Sequence, residues 1–277
     1  MPIFERPPLE SLVRSSDRWT PVYLEHGRLE VDDSAVKWIG ADGSVIRIPV
    51  ATVSAILLGP GTTITHDAIK ACAESNLAIC WVGDDNMRFY SFGVASTSSC
   101  DNARKQAEFH VNIERRTMVA RRMFSKRFPG VPVHLKTIDE MRLLEGTRVK
   151  RMYDELGCKY GVTWRGRKYT PGCFNLSDDI NKAISATNHS LYAICLSIIC
   201  STGYLPQLGF VHLAGVNAFV HDVADMYKAE LTLDSSFRAM LIKSGSISEN
   251  AIENMKEAIE AGGYLKRISQ DIDGLFS

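Results

Sequence analysis

Several things are missing from this sequence, and each absence narrows what the chain can be. Net charge is one: 32 Lys and Arg balance 32 Asp and Glu over 277 residues. A run long enough for a membrane-spanning helix, roughly 20 apolar residues, is another. The best candidate, LYAICLSIIC at 191–200, is half that length and reads as a buried helix segment. The opening residues, MPIFERPPLE, show no basic stretch leading into an apolar one, so no secretory signal is visible. Seven cysteines, at 72, 80, 100, 158, 173, 195 and 200, contain no CxxC pair and are irregularly spaced. That pattern suggests neither a zinc knuckle nor a disulfide framework. Repeats and low-complexity tracts are lacking too. The expectation is a reduced, soluble, cytoplasmic protein with no membrane partner and enough length for a sizeable core.

The zero net charge conceals an uneven distribution. Residues 101–170 carry 17 basic and 8 acidic side chains, whereas 1–100 carry 8 and 12, and 171–277 carry 7 and 12. A cationic middle between acidic flanks suits a polyanion, because each phosphate neutralised by Lys or Arg releases counterions. A long helix with a solvated basic face accounts for the same numbers.

Hydrophobic periodicity divides the chain. The first hundred residues break into short Val- and Ile-rich runs separated by turn residues, with Asp42-Gly43 between VKWIG and VIRIP as a hairpin signal. A short helix is expected over 66–74, followed by strand-like LAICWVG and MRFYSFG. Gly59-Pro60-Gly61 is a turn without the Lys-Ser/Thr of a phosphate loop. Beyond STSSCDN at 96–102 the period becomes 3.6, and one helix is expected over 102–128, up to Phe128-Pro129-Gly130. Thr137 and Glu140 form a capping box for the next helix, which ends near Gly157. Further helices fit 177–202, 219–231, 233–243 and 247–261. The fold class is therefore α+β: a β-rich N-terminal domain at 1–98 and a larger all-helical domain at 99–277.

Three places carry residues suited to chemistry. Glu145 lies mid-helix in LLEGTRVKRMY with Arg148 beside it, and Gly146, costly in a helix interior by about 1 kcal/mol, suggests a close approach to the backbone. His212 sits in the apolar stretch GFVHLAG. Asp222 and Asp225, at i and i+3 in FVHDVADMYK, share a helix face and, if buried, need a cation nearby. Each has a plainer explanation: a surface Glu paired with Arg148, a hydrogen-bonded core His, and a solvated acidic stripe helped by Lys228. Together they are one imidazole and three carboxylates, a set for a hard divalent ion, Mn²⁺ or Mg²⁺, with the imidazole favouring Mn²⁺. No GxSxG elbow supports a serine triad.

Three strings in this order, LEGTRVKRMYDELGCKYGVTWRGRKY, LPQLGFVH and VHDVADMYK, resemble the CRISPR-associated spacer integrase, the first-numbered Cas protein, in its type I-E form. LLGPGTTITHDAI and AICWVGDDNMRFYSFG extend the resemblance into the β part, so that it runs from about residue 9 to 227. It implies a homodimer that works with a dimer of the small second-numbered Cas protein on double-stranded DNA. The activity implied is insertion of short spacers into a CRISPR array, by attack of a 3′-hydroxyl on a phosphodiester. The implied metal ligands are Glu145, His212 and Asp225, with Asp222 a further catalytic acidic position. Arg88, Arg167, Tyr169, Tyr192 and Lys228 match basic and aromatic positions at the DNA or the active site. The sequence departs from that subtype at His26, Thr63 and His221, where its relatives carry Tyr or Arg, and LAGVNAF after His212 lacks a Lys.

From the chemistry of the reaction, Arg115, Arg116, Arg121, Arg122, Lys126 and Arg127 would grip phosphates; a solvated helix face is the alternative. Trp164 and Tyr169 can stack on a base near a strand end or belong to the core. Two other functions stay open: a subunit that holds DNA for another nuclease, its acidic trio merely structural, and a small-molecule metallohydrolase.

Overall fold

The computed structural model describes residues 22–32, 35–53, 55–75, 77–83, 89–93, 100–167 and 178–277. Two four-stranded sheets form the N-terminal part. Strands β1 (Val22–Leu24), β5 (Ala55–Leu58), β7 (Ala78–Val82) and β8 (Phe89–Gly93) lie in the order β1-β5-β7-β8. Strands β2 (Gly27–Asp32), β3 (Ala35–Gly40), β4 (Val45–Ile48) and β6 (Thr62–Ile64) lie in the order β4-β3-β2-β6. In the first sheet β5 pairs parallel with both neighbours and all four of its residues are buried: Leu57 packs into the helical core, and Ile56 and Leu58 pack with Leu29, Trp38 and Ile48 of the second sheet. In the second, Leu29 and Trp38 alternate inward from β2 and β3. The β3–β4 turn closes with Gly43 at φ +82°, where Gly43 N–H donates to the Gly40 carbonyl. His26 is the one non-glycine residue at positive φ among the described residues, and it begins the turn into β2.

Helix α1 (His66–Glu74) is capped by Thr65 and packs against β2 and β7. The expected single helix over 102–128 is instead two, α2 (Asp101–Val111) and α3 (Ile113–Arg127). Asn112 makes the break: its backbone is extended and its side chain accepts from the N–H groups of Glu114 and Arg115, capping the second helix and ending the first. The capping box forms as the sequence indicates, and α4 (Ile138–Tyr160) ends on Gly161 in the left-handed region, four residues beyond the expected stop.

Helix α5 (Asp179–Ser201) is the central column. It has the length and apolarity of a membrane span, but 83% of its most apolar window is buried inside the protein. Against it pack α6 (Ala218–Asp225), a π-helical turn at Ala229–Leu233, α7 (Asp234–Ala239), α8 (Ile247–Gly262) and α9 (Tyr264–Leu275). The expected long helices at 219–231 and 233–243 are thus shorter, with the π turn between them. The pattern reading did not include α9, whose Ile268, Ile272 and Leu275 enter the main core with Phe276. That core also takes in Leu57, Cys80 and Val82 from the first sheet. The boundary at 98/99 lies outside the described residues. The six cysteines described are unpaired, and burial pushes the thiols of Cys72 and Cys200 up to about 12, which keeps them inert.

Candidate active site

Four helices, the turn after α6 and the segment after α4 meet at a cavity of about 630 Å³. The end of α3 contributes Lys126 and Arg127, the middle of α4 Glu145, Arg148 and Tyr153, α5 Asn188, His189 and Tyr192, and the end of α6 with the following turn Asp225 and Lys228. Arg167, from the segment after α4, also lines it. Two sequence-singled carboxylates more than 75 residues apart therefore share one chamber with several cations.

Glu145 does not pair with Arg148. Its carboxylate is in ion-pair contact with the guanidinium of Arg127, which also lies 3.9 Å from Asp225 Oδ2. Arg127 rests over the rings of Phe124 and Phe128, while Arg148 lies over Phe128 and donates to the backbone carbonyl of Arg127. Lys228 takes the other oxygen of Asp225, at 2.6 Å from Oδ1. Burial by itself would raise the Asp225 carboxyl; Lys228 and then Arg127 outweigh it and hold the group below the ordinary aspartate range. The same pairing keeps Lys228 above its ordinary value despite its own burial.

Asp222, one turn earlier, faces elsewhere. Its fully buried carboxylate accepts from the backbone N–H groups of Phe210, Val211 and His212, and binds His212 Nδ1 at 2.7 Å. Asp222 thus spends its acceptor capacity on shaping the 210–212 loop and orienting an imidazole. That bond raises the His212 pKa and leaves Nε2 as the outward nitrogen on a side chain 45% exposed. A carboxylate behind an imidazole in this way is the usual support of a metal-bound histidine. His221 stands edge-on to Tyr192 at 4.7 Å and 5.8 Å from the His212 ring, and Lys228 lies over the Tyr192 ring.

Among the described residues, no three His, Cys, Asp or Glu side chains converge closely enough to hold a metal ion. The donor chemistry of Glu145, His212 and Asp225 nevertheless suits a hard divalent cation. A protein cation, Arg127, stands between the two carboxylates such an ion would use.

The other expected site residues fall in three groups. Arg167, Tyr192 and Lys228 line the cavity, Arg167 donating to the Asn181 carbonyl and side chain and to Ser185 Oγ. Of the basic run on α3, Arg121 donates to the Lys136 carbonyl, Arg122 to the Leu275 carbonyl at 2.7 Å, and Lys126 pairs with Asp271. Arg115 lies over Phe109. Three of the run's cations thereby tie α3 to the segment before α4 and to the C-terminal helix. Arg88 and Tyr169 lie outside the described residues. Trp164 stacks flat on Tyr153 at 4.1 Å, as the core reading of that residue expects. Gly146 shows no close approach: a Cβ there would meet nothing within 4 Å. In the sequence Arg127 stands as one member of the basic run, a phosphate grip or a solvated helix face. Its signal was present in the ArgPhePro end of a helix, but only the fold reveals which carboxylates it reaches.

The family model for CRISPR-associated protein Cas1 matches residues 22–135 and 130–267. A CRISPR-associated endonuclease Cas1 of Chlorobaculum tepidum is 42% identical over 266 residues, covering 95% of this chain and 90% of the relative. Among solved structures, the TtCas1–DNA complex superposes with a TM-score of 0.71 at 32% identity, covering 96% of this chain and 98% of that one. A chain of a Cas6-RT-Cas1–Cas2 complex shares the fold, with a TM-score of 0.66 at 14% identity over 97% of this chain and 36% of that one. The motifs, the α+β architecture and these matches agree: the chain belongs to the Cas1 family of CRISPR-associated proteins.

Proposed function

We propose that this protein is a divalent-metal-dependent DNA endonuclease and integrase that inserts short spacers into a CRISPR array. The observation that carries the reading is the shared chamber of Glu145 and Asp225, ringed by Arg127, Arg148, Arg167 and Lys228. A DNA 3′-hydroxyl attacks a phosphodiester of the repeat; one phosphodiester bond forms as another breaks, and the leaving 3′-oxygen takes a proton. Glu145, Asp225 and His212 would hold Mn²⁺ or Mg²⁺, and that ion would supply polarisation of the scissile phosphate and take up charge on the leaving oxygen. Asp222 keeps His212 in the tautomer with a free Nε2. Arg148, Arg167 and Lys228 offer the phosphates positive charge without reading bases. Tyr192, held between His221 and Lys228, presents a ring to a strand end. The partners in this reading are double-stranded DNA, a second copy of the chain and a dimer of the small second Cas protein, and the site of action is the cytoplasm. The relationship to a Cas1 solved with DNA supports the first of these.

A second reading has an observation of its own. Because no three ligands converge among the described residues and both carboxylates are met by protein cations, the site also fits a subunit that holds DNA while another protein cuts. One experiment separates the two. Purified protein, with and without its small partner, is incubated with a short duplex bearing 3′-hydroxyl ends and a plasmid carrying repeats. Joining should require Mn²⁺ or Mg²⁺ and vanish in Glu145→Ala, His212→Ala and Asp225→Ala. Joining that persists in EDTA, or in all three variants, overturns the metal reading; DNA binding by the wild type with no joining in Mn²⁺ or Mg²⁺ selects the second reading.

A further inference from the structure

The guanidinium of Arg127 is only 10% exposed, yet its charge is directed into the chamber and not toward solvent. Two carboxylates from different helices flank it. Asp225 is itself divided: Lys228 holds Oδ1 at 2.6 Å, whereas Oδ2 faces Arg127 at 3.9 Å. The rings of Phe124 and Phe128 lie beside the guanidinium at 5.2 and 5.9 Å, giving the planar group an apolar bed on which it can shift without losing its packing. Without Arg127, Glu145 would lose its ion pair and Asp225 would keep Lys228 alone, leaving partly buried negative charge that either repels or recruits a cation. We propose that Arg127 is the resident counter-cation of this site, occupying the place of the divalent ion and exchanging with it, so that metal binding must displace the guanidinium from Glu145 and Asp225. The inference rests on the metal reading above. It makes Arg127 a positioning residue: in the metal-free protein it, from α3, holds the α4 and α6 carboxylates in register, and it sets the affinity for the ion by competing with it.

The test uses the full-length protein, Mn²⁺ alone as the probe, titration calorimetry for affinity and thermal melting for the metal-free state. Wild type is first compared with Glu145→Ala and Asp225→Ala. Unchanged Mn²⁺ binding in both variants defeats the metal reading itself and leaves the exchange without a site. If binding depends on those carboxylates, Arg127→Gln decides the inference. Removal of the competitor should tighten Mn²⁺ binding by about tenfold or more, lower the metal-free melting temperature, and enlarge the rise in melting temperature that Mn²⁺ produces. Arg127→Lys, which keeps the charge but not the fork, should fall between the two. Mn²⁺ affinity that is unchanged or weaker in Arg127→Gln overturns the exchange while leaving the metal site standing. Should Arg127→Gln fail to fold without metal, Mn²⁺ or the added Glu145→Gln change should restore folding, because both remove the uncompensated charge; restoration by neither also overturns it.

Discussion

The two halves of this protein handle charge in opposite ways. In the β-rich half, ion pairs such as Lys37–Asp32 and Arg28–Glu30 lie along the surface of β2 and β3, and the interior is apolar: Leu29, Trp38, Ile56 and Leu58 with Cys72 and Ile79. In the helical half, Asp222 is buried, and Asp225, Arg127 and Lys228 are partly buried around the chamber, beside an otherwise apolar core. Burying charge costs several kcal/mol per ion unless every group is met. The helical half bears that cost with fully engaged partners, and such an arrangement marks a site more than it marks stability. The β half has no comparable burden among its described residues.

The contrast yields graded expectations for stability. Asp222→Ala should have the largest effect, because three loop N–H groups and the His212 ring lose their acceptor at once; about 3–5 kcal/mol is expected from urea unfolding. A loss below about 1 kcal/mol would show that the loop finds other partners. Leu29→Ala in the β half should come next at about 2–4 kcal/mol, since that side chain is wholly buried and leaves a cavity. Thr137→Ala removes a cap on α4 and should cost about 1 kcal/mol.

Its partner Glu140 gives a pH signature. The Thr137 backbone N–H holds the Glu140 carboxyl below its ordinary value. The contribution is present above the unfolded glutamate pKa of about 4.3 and disappears as pH falls through the lower folded value. Glu140→Gln should therefore flatten the acid limb of the stability profile; an unaltered limb would remove that assignment. Lys37→Ala, which breaks an exposed pair, should leave the urea midpoint where it was.

How much of this was legible beforehand differs along the same lines. Strands, turns and caps are local, so Gly43, Thr65 and Thr137 stand where their chemistry places them. Asn112 was legible too, as a capping residue inside a helical pattern, but the 3.6 periodicity on both sides masked the break. The π turn at Ala229–Leu233 and the C-terminal helix depend on packing against α5, which no local pattern records. At the site, residue types and their motifs pointed to Glu145, His212, Asp222 and Asp225. The division of labour between the two aspartates was not readable: three residues apart, one is consumed by the 210–212 loop and the other faces the chamber. Arg127 was hidden for a similar reason, since its neighbours in the basic run point to quite different partners.

The most direct measurement of the central claim is anomalous diffraction at the manganese edge from crystals grown with Mn²⁺. The account predicts a single strong peak bounded by Glu145, Asp225 and the Nε2 of His212, with the Arg127 guanidinium moved off both carboxylates. Density without a peak there, and with Arg127 still joining Glu145 to Asp225 at saturating Mn²⁺, would contradict it.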